Sequence, residues 1–258
     1  MMQLKLFAVD LARKAGFLLK ERFNQKHQIN YKGDINLITE ADKMSEDLII
    51  AAISRSFPDH GILSEESPVI TGAGKMRWII DPLDGTTNYA HGYPVFCVSI
   101  ALEKEGEVIL GVIYDPMREE MFVSVRGEGA YLNDKKLAVS SLKDISRSLL
   151  ATGFPYDIRE SKENNLDYFN AMAVNVQAIR RAGAAALDLA YLAAGRFDGF
   201  WELKLKPWDT AAGCLLVTEA GGVISDIAGG KWQLQSPSLL ASNGLIHEQM
   251  IKVLSSKS

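Results

Sequence analysis

Trp78-Ile79-Ile80-Asp81-Pro82-Leu83-Asp84-Gly85-Thr86-Thr87-Asn88 delivers two carboxylates, a tight turn and a hydroxyl directly after an apolar strand. Carboxylates and main-chain carbonyls are the oxygen ligands that hard Mg²⁺ selects, and amides freed by a glycine turn suit a phosphate oxygen. Taken alone, the stretch also reads as an ordinary turn, because Pro presets φ and Gly accepts positive φ without steric cost.

Three other segments bear on that choice. Leu63-Ser64-Glu65-Glu66-Ser67 carries a pair of acids in a loop or short strand, and by itself would be a solvated charge pair. Pro207-Trp208-Asp209-Thr210-Ala211-Ala212-Gly213 puts Asp209 at the start of an apolar, small-residue helix, where an acid commonly serves as a cap. Ile38-Thr39-Glu40-Ala41-Asp42 precedes the amphipathic run Leu48, Ile49, Ala52, Ile53, and Thr39 with Asp42 has the form of a capping box.

In this order and with these residue types, the four segments resemble the inositol monophosphatase family of Mg²⁺-dependent sugar-phosphate phosphatases. The likeness spans nearly the whole chain and includes the run Arg180-Arg181-Ala182-Gly183-Ala184-Ala185-Ala186-Leu187-Asp188-Leu189-Ala190-Tyr191. It implies an α+β fold, the layered αβαβα sandwich shared with fructose-1,6-bisphosphatase.

It also implies a site. Glu65, Asp81 and the Leu83 carbonyl match ligands of a first metal, and Asp81, Asp84 and Asp209 those of a second, with a third, weaker ion leaning on Glu65. Thr86, paired with Asp42, would help activate water, and the amides of Gly85 and Thr86 would hold the phosphate. Gly183, Ala185, Asp84 and Glu202 match positions around the leaving alcohol, Glu202 standing seven residues before Asp209. A plain carboxylate at a strand end is the bland alternative for Glu202.

Elementary electrostatics favours cations if these acids converge. Two negative charges about 4 Å apart repel by about 4 kcal/mol at an effective dielectric of about 20. Two to three Mg²⁺ ions would offset that repulsion and stabilise both oxygens of an in-line displacement. No activated Ser, Cys or His nucleophile is recognisable. The expected chemistry is therefore direct attack by metal-activated water, with no phosphorylated enzyme.

Near the substrate the chain departs from animal-type relatives, which carry small hydroxyl residues at the positions of Arg181 and Ala184. The Arg180-Arg181 pair looks like bacterial and archaeal members, some of which also hydrolyse fructose 1,6-bisphosphate. A guanidinium at Arg181 suits a second phosphate. The alternative for both arginines is a pair of helix C-terminal cations favoured by the dipole.

At 258 residues with 47% hydrophobic content, the chain can bury a large core. A net charge of −4 argues against a general basic nucleic-acid surface. With only Cys97 and Cys214, a disulfide framework is not expected. Lys5, Asp10, Arg13 and Lys14 interrupt any secretory apolar region, and Gly85 to Leu102, the longest uncharged stretch, is too polar to span a membrane. A cytoplasmic protein is expected, with Li⁺ inhibition and a homodimer implied by the resemblance.

Apolar spacing predicts a helix through Leu4 to Leu19, a second after Asp42 ending before Pro58, and then a meander of strands over 96–132. From about Ser140 the pattern alternates: helix over Leu166 to Ile179, helix over Gly183 to Ala194, strand near Phe197 to Glu202, helix from Asp209, short strands at 223–225 and 239–241, and a final helix. This divides the chain into an α+β half, 1–139, holding most metal ligands, and an α/β half, 140–258, holding Glu202 and Asp209, the two forming one catalytic unit.

Rival motifs fail on spacing. Gly72-Ala73-Gly74-Lys75-Met76 has Val69 where a P-loop needs its first glycine and Met76 in place of the metal-binding hydroxyl, and so is expected to be a loop. Gly127-Glu128-Gly129 reads as a turn. His27, His60, His91 and His247 have no zinc spacing, and His91 reaches at most the site mouth.

The expected function is Mg²⁺-dependent hydrolysis of phosphate monoesters, foremost myo-inositol monophosphate. A fructose-1,6-bisphosphatase or 3′(2′),5′-bisphosphate nucleotidase is the enzymatic alternative. A regulatory partner-binding protein is the alternative of another class.

Overall fold

The structure, a computed structural model, describes residues 1–23, 29–31 and 37–256; His27 lies outside them. Its elements begin with α1 (Met2–Arg22), β1 (Ile29–Tyr31), β2 (Leu37–Thr39), α2 (Glu40–Ser56), β3 (Gly61–Ser64), β4 (Met76–Asp84), α3 (Thr86–Ala90) and β5 (Cys97–Lys104). Next come β6 (Glu107–Asp115), β7 (Glu120–Val125), β8 (Gly129–Leu132), β9 (Lys135–Lys136), β10 (Leu149–Thr152), α4 (Leu166–Ala173) and β11 (Ala178–Arg180). Last are α5 (Ala185–Ala193), β12 (Gly199–Leu203), α6 (Pro207–Glu219), β13 (Val223–Ser225), β14 (Ser238–Ser242) and α7 (His247–Ser255).

From β5 to β9 each strand pairs antiparallel with the one before it, as short hairpin turns allow, while β3 lies parallel along the outer edge of β4. A second sheet has the order β11-β10-β12-β14-β13. In it β10 is parallel to both its neighbours, and β14 is antiparallel to β12 and β13.

Successive side chains of a strand point to opposite faces, so each sheet sorts its apolar residues into two layers. Trp78, Ile80, Ile100 and Val112 pack on one face against Ala8, Leu11, Leu19, Ile49 and Ile53 of α1 and α2. Ile79, Ala101, Ile113 and Phe122 point the other way, into a core shared with α5 and α6. Ala151, Phe200, Leu239 and Ala241 of the second sheet close that core from its far side. Their neighbours Leu150, Trp201 and Leu240 meet Met172 of α4 and Met250 and Leu254 of α7.

Helix pair, sheet, helix pair, sheet, helix pair is therefore the layer order, an αβαβα sandwich. Both sheets are covered on both faces, which explains why their strands are runs of apolar residues rather than alternating ones. Complete burial of a side chain such as Phe200 contributes about 1.5–3 kcal/mol relative to leaving it in water.

Two local readings need correction. Helix α4 stops at Ala173, and residues 178–180 form β11, pairing with β10 through Leu149↔Ala178 and Ala151↔Arg180. The segment between carries Val174, Asn175 and Val176, poor helix formers, and the free edge of β10 satisfies backbone groups that a helix would otherwise have paired. Arg180 thus ends a strand and Arg181 follows it, and the helix-dipole account of that pair falls away. Helix α2 begins at Glu40, so Asp42 lies within its first turn rather than before it.

Candidate active site

The site grows from the end of β4. Pro82 has no N–H to give to the ladder, and the pairing of β4 with β5 shifts register between Asp81 and Asp84. Carbonyls freed there find side chains. Pro82 O accepts from Ser45 Oγ at 2.8 Å and Leu83 O from Thr86 Oγ1 at 3.1 Å, while Asp81 Oδ1 accepts from Leu83 N at 3.0 Å. Gly85 then turns the chain into α3 with φ of 94°, a conformation that costs any other residue about 1 kcal/mol or more. A Cβ there would also lie 2.9 Å from the Val95 carbonyl oxygen.

Thr86 Oγ1 shares its proton between Leu83 O and Asp42 Oδ1, the latter 2.9 Å away. The other Asp42 oxygen accepts from Thr39 N at 2.8 Å and from the Thr39 hydroxyl, and Thr39 Oγ1 in turn accepts from Asp42 N. The capping box is real, and its acid also reaches the turn after β4. Burial raises the Asp42 pKa, opposed by the hydrogen bonds from Thr39 and Thr86, so its carboxylate accepts a proton more readily than an exposed one.

Glu65, Asp81, Leu83, Asp84, Gly85, Thr86 and Asp209 line one cavity of about 430 Å³. Asp81 and Asp84 are buried, whereas Glu65 and Asp209 keep partial contact with solvent. Burial, then the charges of Glu65, Asp84 and Asp209, hold the Asp81 carboxyl well above the usual range. Asp84 is pushed up to about 7 by burial, against a hydrogen bond from Ala186 N at 2.8 Å. Asp209 is likewise pushed up to about 7, against one from Lys206 N at 2.6 Å.

Among the described residues, no three His, Cys, Asp or Glu side chains already close on a single chelating point. The acids line a common space and repel one another across it. An all-oxygen donor set with excess negative charge suits a hard divalent cation rather than a thiophilic one.

A second lobe of about 420 Å³ continues from Asp84, Gly85 and Thr86 past Arg181, Gly183, Ala185, Asp188 and Glu202. Asn88 Nδ2 donates to Val95 O at 2.7 Å and Ala182 O at 2.8 Å, pinning the glycine turn before α5 to α3. Glu202 is buried in β12, not a surface acid. Burial and the charges of Asp188, Asp209 and Asp84 raise its pKa well above normal, and Arg181 opposes them. Arg180 turns back onto Ile179 O at 3.2 Å, and exposed His91 lines neither lobe.

Sequence reasoning missed two buried acids that serve the cleft. Glu46 accepts from Glu66 N at 3.1 Å and from the hydroxyls of Ser64 and Ser67, holding the turn that carries Glu65. Its spacing of four from Asp42 on the apolar face of α2 was the available signal. Asp188 is 2% exposed beside Arg181 and Glu202, where burial raises its pKa. An acid in the first turn of an otherwise apolar helix was the only hint.

Layered sheets with an acid-lined cleft at the end of β4 define an α+β protein of the phosphatase type. The chain belongs to the inositol monophosphatase family, whose profile matches residues 1–258. It is 43% identical over 249 residues to an inositol-1-monophosphatase of Mesorhizobium japonicum, covering 95% of this chain and 94% of that one. It is 45% identical over 239 residues to the Nus factor SuhB of Vibrio cholerae, covering 92% and 90%. The solved inositol monophosphatase of Anabaena (Nostoc) superposes with a TM-score of 0.91 at 40% identity, covering all of this chain and 97% of the other. No described helix is long and apolar enough to cross a membrane.

Proposed function

We propose that the protein hydrolyses phosphate monoesters of small cyclic polyols, foremost myo-inositol monophosphate, with the cleft at the end of β4 as its active site. Convergence of Glu65, Asp81, Asp84 and Asp209 on one cavity beside the Thr86–Asp42 pair carries the reading. Glu65, Asp81, Asp84, Asp209 and the Leu83 carbonyl would hold Mg²⁺. When bound there, the cation supplies Lewis-acid stabilisation of the charge that develops on the phosphoryl oxygens.

The chain's own groups do the rest. Gly85 and Thr86 amides at the start of α3 orient the phosphate. Thr86 Oγ1, held by Asp42, presents a hydroxyl that can take the attacking water's hydrogen bond, and Asp42 is the proton acceptor behind it. Glu65 lines the same cavity, where it can orient the same water. Glu202 and Ala185 face the leaving alcohol, and Arg181, which lines the same lobe, reads charge on the substrate. Phosphate release from inositol 1-phosphate with Mg²⁺, and none after its removal, is the expected result; equal release without the cation refutes the scheme.

Arg181 beside the substrate lobe keeps bisphosphates in play, since a guanidinium pairs well with a second phosphate. A panel including fructose 1,6-bisphosphate and a 3′-phosphoadenosine nucleotide separates these substrates. The likeness to a protein named as a Nus factor supports a second, regulatory reading, in which the same fold binds a macromolecular partner. An intact site with full turnover and no partner recovered by affinity capture counts against it.

A further inference from the structure

We propose that Tyr156 is a substrate-specificity residue, its phenol ring forming the outer wall on which the ring of a cyclic polyol phosphate lies, so that the cleft selects ring-shaped over linear monoesters. The inference rests on the phosphatase reading and names what that site prefers.

Tyr156 lines both lobes of the cleft, the one holding the carboxylates and the one holding Arg181 and Glu202. It therefore stands where the phosphate end of a substrate gives way to its alcohol. Tyr156 is 58% exposed, a large aromatic surface at the mouth of a cavity lined by carboxylates and apolar groups alike. Such a face covers the C–H face of a saturated ring, whereas a flexible linear alcohol offers no comparable flat surface.

The loop bearing Tyr156 is fastened at both ends. Before it, Gly153 packs directly on the Glu202 carboxylate, and a Cβ there would overlap that group. Asn165 Nδ2 donates to Gly153 O at 2.6 Å and is itself held by Trp201 Nε1 at 2.8 Å. After it, Ile158 N closes a turn onto Pro155 O at 3.1 Å, and Lys204 Nζ donates to Asp157 Oδ2 at 2.6 Å and to Ser161 Oγ at 2.8 Å. Lys204 directly follows β12, two residues beyond Glu202, in the left-handed region with φ of 61°. The wall is thus tied to the strand that carries the alcohol-facing acid, and ring and acid keep a common geometry. Preorganised placement of this kind lets an aromatic surface discriminate instead of merely adding contact.

The test compares the intact protein with Tyr156→Ala and Tyr156→Phe on myo-inositol 1-phosphate and glycerol 2-phosphate, with Mg²⁺ present. Tyr156→Ala should raise KM for the inositol ester about tenfold with little change in kcat, a size set by the loss of one buried aromatic face. Glycerol 2-phosphate kinetics should stay within about twofold, and Tyr156→Phe should restore wild-type behaviour. Equal loss on both substrates, or loss on neither, overturns the proposal while leaving the phosphatase reading standing. A wild-type protein that releases phosphate from neither ester removes that reading and this proposal with it. Matching melting temperatures exclude misfolding as the cause.

Discussion

Thr86 Oγ1 lies 2.9 Å from Asp42 Oδ1, joining the turn after β4 to the first turn of α2 across 44 positions of sequence. The same carboxylate satisfies the Thr39 amide at the helix N-terminus. One acid therefore serves the helix start through one oxygen and the candidate reaction through the other.

Asp42→Asn should separate those duties. The amide oxygen can still accept from Thr39, so α2 should persist, while the proton acceptor is gone. Steady-state kinetics should show kcat down by about 10²–10⁴-fold at similar KM, and far-ultraviolet circular dichroism should be unchanged. Thr86→Ala should fall in the same range and Thr86→Ser recover most of the rate.

Asp81→Asn removes a charge from the centre of the acid cluster. We expect kcat to drop at least about 10²-fold and Mg²⁺ affinity, read by calorimetry, to weaken. Without the cation this variant should melt higher than wild type, because the cost of burying the Asp81 carboxylate and its repulsion from Glu65, Asp84 and Asp209 are both relieved. A lower melting point together with unchanged turnover contradicts the assigned role.

Acidity should act on the cation-free protein with an unusual sign. Asp84 and Asp209 are pushed up to about 7 from an unfolded value of 3.8, so between those limits the folded state binds more protons than the unfolded one. Stability should then fall as pH rises from about 4 to about 7. Thermal melts at pH 5.5, 6.5 and 7.5 should show this decline in chelator. Saturating Mg²⁺ should suppress it, since cation and protons compete for the same oxygens.

Glu202→Gln tests the alcohol end of the cleft. Replacing the carboxyl that pairs with the substrate hydroxyls should raise KM for inositol 1-phosphate about tenfold, with p-nitrophenyl phosphate almost unaffected. Arg181→Ala should reduce kcat/KM for a bisphosphate more than for a monophosphate. Parallel losses across all substrates indicate structural damage instead.

Much of the fold was legible along the chain. Period-two and helical apolar patterns placed α1, α2, the meander from β5 to β8, and α5 and α6. The β11 strand was not legible, since residues 174–180 become extended only because β10 offers them an edge. The Arg180-Arg181 pair changed its reading with it. Glu46 and Asp188 were passed over because an acid on a helix declares burial only when its neighbours in space are known.

Sequence alone determined the local devices: the Asp-Pro-Leu-Asp-Gly-Thr turn, the Thr39–Asp42 capping box and the apolar faces that commit strands and helices to layers. These depend on φ, ψ and on residues three or four apart, which the chain order states directly. Tertiary structure alone decided that Asp42, Glu65, Asp209 and Glu202 meet around that turn, and that Tyr156 lines the same cleft. Their meeting depends on sheet register and on which helix fills which layer, and those follow from packing between segments that the sequence keeps far apart.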